Sequence, residues 1–430
     1  MVLWRGLPGE SFDAAFSEDR VVVQRGRRLA GQFAWASGGR IVAALLQAGL
    51  LVLAARAVVP AEFGLLASVL GIATVVQTGL DFGVSTFITR ERATNPESGS
   101  IRTALRFNTL TSALMAVISA LVLALVGWLV DPRFLLLLPL AVWISMERTA
   151  DVRLAIAFAD GDVKVNSINL IARRSVAIIL FVALAPVIDA MLAFAISTAV
   201  AAVGSAVFAN AYVRRRVTVP ASIRYSELLK ASWPYWLHSL ATQARNLDAA
   251  VTAGFAGPTQ AGYFSVASRL TSPLRILPTT LGNVLLPNAS RLSGSRRDMR
   301  SLAKLSVVAL LISTALYAVV FLLTPWGVPL LLGADYANSV PAVMIVVAGL
   351  PFAAAISLFS ALLQGAGRKH FVATVSTSSA IICLTAVAIA SAAWGAIGAA
   401  GALSMTFMLQ AVATVIGYYF FVDRNRQENP

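Results

Sequence analysis

Long apolar runs, each of about 20 residues or more and separated by short polar stretches, recur from residue 31 almost to the end of the chain. A helix rising 1.5 Å per residue needs about 20 residues to cross the hydrocarbon of a bilayer, and each run is long enough. The pattern predicts twelve such helices, at roughly 31–57, 61–89, 103–130, 134–158, 165–186, 188–213, 229–255, 260–288, 301–324, 337–363, 370–393 and 395–421. Ahead of them, residues 1–30 have neither the uninterrupted apolar core nor the small-residue cleavage site of a signal peptide. They are expected to form a cytoplasmic lead-in, in part an amphipathic helix.

Composition agrees with the pattern. Of 430 residues, 58% are hydrophobic and only 13% charged, proportions that a soluble domain does not carry. Lys and Arg then orient the chain, because loops on the cytoplasmic side are enriched in them. Arg25, Arg27 and Arg28, then Arg90, Arg92 and Arg102, Lys164, Arg214 to Arg216 with Arg224, Arg291 with Arg296, Arg297 and Arg300, Arg368 with Lys369, and Arg424 with Arg426 all fall on one side. The alternate loops hold little beyond Arg133. Twelve spans with both termini cytoplasmic fit this alternation. The formal charge of +14 is then mostly topology, and no nucleic-acid partner is expected.

The longest internal basic stretch, RRRVTVPASIRYSELLK from Arg214, divides the spans six and six. We therefore expect an N-terminal lobe at 31–213, a basic linker at 214–228, a C-terminal lobe at 229–421 and a tail at 422–430. A weak internal repeat supports the division: ARAVVPAEFGLL from Ala55 aligns with TAGFAGPTQAGYF from Thr252, setting Gly64 over Gly262 and Leu65 over Tyr263. The expected fold class is an all-α integral membrane protein, two six-helix lobes around a central cavity, where transporters built from repeats hold their substrate.

Ionisable residues inside spans are costly and usually face a cavity or a partner. Arg40, Asp81, Arg173 and Arg174 fall in the cytoplasmic half of their helices, Glu147, Arg148, Asp151 and Arg275 near the middle, and Arg245, Asp248 and Arg269 in the outer half. His238, Thr242 and Arg245 share one helical stripe by their spacing. The arginines Arg40, Arg148, Arg173, Arg174, Arg245, Arg269 and Arg275 outnumber the acids Asp81, Glu147, Asp151 and Asp248. Guanidinium binds phosphate in bidentate fashion, so a phosphate or pyrophosphate group is the expected counter-ion, and these arginines are the candidate binding residues. Asp248, Glu147, Asp151 and Asp81 are candidate coupling sites for H⁺ or Na⁺. The structural alternative for Arg245 and Asp248, three apart, is an ion pair that neutralises both.

Several classes are disfavoured. The chain has no GxxxxGK[ST] motif for nucleotide phosphates, only two histidines, no HExxH and one cysteine, Cys383. No catalytic residue, metal site or cofactor is expected, and every external loop is too short for the catalytic domain of a membrane glycosyltransferase or ligase.

The stretch RNLDAAVTAGFAGPTQAGYFSVASRL, followed by LPNASRL, and in the first half ARAVVPAEFGLLAS with GLDFGVSTFITRE, resembles the polysaccharide-biosynthesis flippases of the multidrug/oligosaccharidyl-lipid/polysaccharide exporter superfamily. LLLGADYANSVPAVMIVVAGLPF before the tenth span is a third match. The resemblance implies two lobes in a V that flip undecaprenyl-diphosphate-linked oligosaccharide from the cytoplasmic to the outer leaflet. The implied partners are that lipid, the surrounding membrane lipids and polysaccharide polymerase or export proteins. A drug or small-molecule antiporter of the same superfamily is the alternative, with an enzyme acting on lipid-linked glycans behind it.

Overall fold

The computed structural model describes residues 35, 37–292 and 295–424. The expected lead-in at 1–30 and most of the tail lie outside the described residues. Among those described there are helices and turns and no strand. In chain order they are α1 (Ser37–Ala57), α2 (Pro60–Gly79), α3 (Val84–Thr94), α4 (Gly99–Leu129), α5 (Pro139–Ala159), α6 (Val163–Leu184), α7 (Ala190–Arg214), α8 (Tyr225–Gln243), α9 (Asp248–Ala256), α10 (Pro258–Leu270), α11 (Ile276–Leu292), α12 (Arg296–Leu332), α13 (Val340–Gly365) and α14 (Lys369–Tyr418). The protein is an all-α membrane protein whose twelve crossings form two lobes.

Three of the crossings expected as continuous helices are broken. The second stops at Leu80 and resumes at Val84, because Phe82 (φ 50°) and Gly83 (φ 74°) both take left-handed backbone and the Asp81 carboxylate turns to accept from Ser85 Oγ at 2.8 Å. The seventh divides into α8 and α9 through a 3₁₀ turn at Ala244–Leu247, so Arg245 leaves the stripe predicted for it with His238 and Thr242, whose side chains lie outside those described. The eighth divides into α10 and α11 at Ser272–Arg275. Pro273 has no N–H to offer the Arg269 carbonyl, and Ser272 Oγ donates to that carbonyl instead at 2.7 Å. The last two crossings run on as one long element, bent where Gly395 adopts φ 58°, ψ −138°. Gln260 of α10 bridges that bend, its Oε1 accepting from Ala396 N at 2.9 Å.

The lobes meet along α2. Both α2 and α10 open with proline in the first turn, where its missing N–H costs nothing. Four residues on, each carries the glycine aligned by the internal repeat. A Cβ at Gly64 would collide with the Pro258 carbonyl, and one at Gly262 with the Pro60 carbonyl. The contact is reciprocal, with the small residues that let membrane helices approach to backbone distance. One turn further, Ser68 Oγ donates to Ala249 O at 3.2 Å, and Gly71 lies against the Asn246 carbonyl. Above the glycines, Tyr336 donates to Val58 O at 3.1 Å and packs edge-on to Phe63. These contacts close the face opposite the arginine-rich loops.

Candidate functional site

Below this seam a cavity opens towards the arginine-rich face. Its deeper part, about 370 Å³, is lined by Gln77, Thr78 and Asp81 from the end of α2, Ser85 and Thr86 from α3, Arg148 and Asp151 from α5, and Ser239 and Gln243 from α8. A second compartment, about 430 Å³, shares Ser85, Thr86 and Asp151 with the first and continues past Thr89 and Asn166 to Arg40. The two form one trough between α1, α3, α5 and α6, with α8 of the facing side over its deep end.

The broken second crossing is what makes the trough polar. Ending α2 inside the membrane leaves its last carbonyls without helical partners. Arg148 answers them: Nη1 donates to Gln77 O at 2.7 Å and Nη2 to Leu80 O at 3.1 Å, with Asp81 Oδ1 3.0 Å away. Trp236 of α8 donates its indole N–H to Gly79 O at 2.7 Å and stacks on Phe82. The break is thus held from both sides of the cavity.

Behind the trough, Arg173 reaches Glu147 at 3.1 Å and Asp151 at 2.9 Å, and Arg174 reaches Glu147 at 2.7 Å. The sequence placed an uncompensated excess of arginine across the whole column. In this lobe the structure brings Arg148, Arg173 and Arg174 together with Asp81, Glu147 and Asp151, three cations to three acids, and neither Arg173 nor Arg174 lines the trough. Asp151 is the member that still faces it, its side chain 52% exposed.

Apart from Arg40, the excess lies on the other side. Arg245 donates to Gln410 Oε1 at 2.6 Å, Arg269 donates to Ala67 O of α2 at 2.7 Å, and the Arg275 guanidinium sits 5.7 Å from the Phe407 ring centroid. Among the described residues, none of the three has a carboxylate within ion-pair distance. Asp248 pairs with no arginine at that distance either; its Oδ1 accepts from Ala249 N at 2.7 Å. The alternative of an Arg245–Asp248 ion pair is therefore not what the side chains form. Arg245 instead enters a polar cluster with Gln410, which also accepts from Ser379 and donates to Ser376.

Sequence reasoning by charge missed the uncharged lining. Gln77, Ser85, Ser239, Gln243 and Gln410 carry no charge to stand out in an apolar run. The spacing of Gln77, Asp81 and Ser85, four residues each, was the available signal. Among the described residues, no group of three or more His, Cys, Asp or Glu could hold a metal ion.

Residues 52–341 match the family model described as "Polysaccharide biosynthesis protein". Among solved structures, the fold is similar to a lipid II flippase MurJ in an inward closed conformation (TM-score 0.71, 14% identity, covering 89% of this chain and 87% of that one). It is also similar to an inward-facing multidrug resistance MATE family transporter of the MOP superfamily (TM-score 0.68, 15% identity, 93% and 96% covered). A MOP superfamily transporter from Pyrococcus furiosus, described by the reverse polarity of its binding pocket, matches at TM-score 0.62 with 14% identity over 91% and 95%. No curated protein sequence matches the chain.

Proposed function

The chain belongs to the polysaccharide biosynthesis protein family, and from that premise we propose that it is a flippase, moving undecaprenyl-diphosphate-linked oligosaccharide from the cytoplasmic to the outer leaflet of the inner membrane. The observation that carries this reading is the distribution of charge. The trough opens on the arginine-rich face, which the positive-inside bias makes cytoplasmic, with Arg40 at its mouth, and Arg245, Arg269 and Arg275, left without carboxylates, lie on the facing lobe.

In this mechanism Arg40 meets the lipid diphosphate at the mouth of the trough, the glycan occupies the polar lining of Gln77, Ser85 and Gln243, and the prenyl tail stays in the bilayer. The diphosphate then exchanges onto Arg245 and Arg275, whose hydrogen-bond and aromatic partners are neutral and yield to a charged ligand. Arg148, Arg173 and Arg174 serve by holding the carboxylates and helix ends that shape the trough. Opening of the α2–α10 seam releases the headgroup on the outer side. Asp248 is the coupling candidate for H⁺ or Na⁺, because Asp81, Glu147 and Asp151 are each held by arginine.

The test is the leaflet distribution of lipid-linked oligosaccharide in cells depleted of the protein and complemented with variants. Depletion should trap intact glycolipid on the cytoplasmic side, with Arg245→Ala and Arg275→Ala failing to restore translocation at normal protein level. Normal translocation without the protein refutes the flippase reading. The small-molecule antiporter then stands first, and loss of resistance to cationic compounds identifies it.

A further inference from the structure

Arg153 was not among the residues that the sequence singled out. It lies on α5 two residues from Asp151, a rotation of about 200°, and so faces away from the trough. By spacing it shares one face of α5 with Val142, Met146 and Thr149, on a helix that packs against both α4 and α7. Val142 is exposed on that face, whereas Arg153 is 9% exposed. Its Nη2 donates to Thr109 Oγ1 of α4 at 3.1 Å and its Nη1 to its own Thr149 carbonyl at 3.3 Å. No carboxylate of the described residues lies within ion-pair distance. The acids nearest in the chain are engaged elsewhere: Glu147 and Asp151 hold Arg173 and Arg174, and Asp160 and Asp162 hold Arg92 and Arg216.

The neighbours add charge of the same sign. Arg106 stands one turn before Thr109 on the outward face of α4, which continues in exposed Leu110, Leu114 and Val117. Arg214 ends the outward face of α7, which includes exposed Val207, and is within electrostatic reach of Arg153. Arg106 is seven residues from the start of α4 and Arg153 six from the end of α5, so both sit about 10 Å inside the arginine-rich ends of their helices. Among the described residues, neither Arg106 nor Arg214 has a carboxylate within ion-pair distance.

We propose that Arg153 of α5, with Arg106 of α4 and Arg214 of α7, bounds a cleft that binds the phosphate headgroup of an anionic phospholipid, in the leaflet at the arginine-rich face. An arginine residue only 9% exposed and hydrogen-bonded only to neutral oxygens lacks its charge partner, and a lipid phosphate is the anion available at that depth. Basic pockets between membrane helices on the cytoplasmic side bind such headgroups. The apolar outward faces of α4 and α7 then take the acyl chains. The site is on the outside of its lobe, separated by α5 from the trough.

The experiment reads the phosphatidylglycerol to phosphatidylcholine ratio retained by the full-length protein after equilibration in mixed vesicles and extraction. The wild type should retain phosphatidylglycerol above its bulk fraction. Each arginine near a membrane surface strengthens anionic-lipid attraction about fivefold, so R153Q should lower the enrichment by about that factor and R153K should largely keep it. The exposed pair R106Q/R214Q tests the same cleft without altering a buried side chain and should lower enrichment at least as far. Arg133→Gln, on the opposite face, should leave it unchanged. Equal enrichment in R153Q, R106Q/R214Q and wild type overturns the proposal. So does displacement of the retained lipid by inorganic phosphate, which makes it a free-anion site, or preferential displacement by a prenyl diphosphate, which makes it a station for the transported lipid.

Discussion

The glycine pair between α2 and α10 offers a direct test of how the seam opposite the arginine-rich loops closes. Gly64→Ala and Gly262→Ala each place a methyl group onto a proline carbonyl of the opposite helix, with no flexible side chain to give way. The helices must separate by about 1 Å or more, and such overpacking costs about 1–3 kcal/mol. That cost falls only on the state in which the seam is closed, so the closed-to-open ratio should fall about 5- to 150-fold for one substitution, and further for G64A/G262A. The assay is cross-linking between cysteines introduced at Ala61 and Thr259, which flank the seam, in a background where buried Cys383 is replaced by alanine. Closed-state cross-linking should drop and reagent access to the trough from outside should rise. Gly254→Ala serves as the control, because a Cβ there meets nothing within 4 Å. Unchanged cross-linking in the double variant, at normal folding, would refute the claim that backbone contact at this glycine pair is what seals the face opposite the arginine-rich loops.

Other predictions follow from the buried charges. Arg148→Ala strands Asp81 and the α2 carbonyls at Gln77 and Leu80, and removing one partner of a buried pair costs about 3–5 kcal/mol; R148A should therefore lose thermal stability heavily, and adding D81N should recover part of the loss. Asp248→Asn should abolish the dependence of transport on the ion gradient whereas Asp81→Asn should retain it, as measured in vesicles with imposed H⁺ or Na⁺ gradients; the opposite ranking would remove Asp248 from the coupling role. On the loop between α4 and α5, Arg133 holds the Asp131 carboxyl below its ordinary value of 3.8, so the pair stabilises the fold above that pH, and the contribution fades as pH falls through the lower, folded-state value. Unfolding temperatures from pH 5 downwards should show a smaller decline in D131N than in wild type.

Much of the architecture was legible because a bilayer makes hydrophobic length decisive: no soluble alternative exists for the apolar runs, and two of the sharpest sequence boundaries, around 188 and 395, coincide with the start of α7 and the bend at Gly395. The repeat that set Gly64 over Gly262 was readable for a related reason. Backbone-to-backbone contact between membrane helices tolerates almost no residue but glycine, so the constraint left its mark at both positions. The breaks after Leu80 and at Ala244 were not readable, since the length of a run shows that the chain crosses the membrane and not whether the helix is continuous within it.

What the sequence determined by itself was the frame: helical crossings, their division into halves, and the set of charges that had to be accommodated inside. Which charges neutralise one another was decided only in three dimensions. Arg148, Arg173 and Arg174 come from two helices and find acids on α5 and at the end of α2, whereas Arg245, Arg269 and Arg275 find only amide, carbonyl and aromatic partners. Ion pairing falls off over a few ångströms and depends on which helix faces turn towards each other, and counting charges along the chain carries no information about that. The same reason hid Arg153, an ordinary residue near the end of a span until the packing of α4 and α7 around it removed water and supplied no acid.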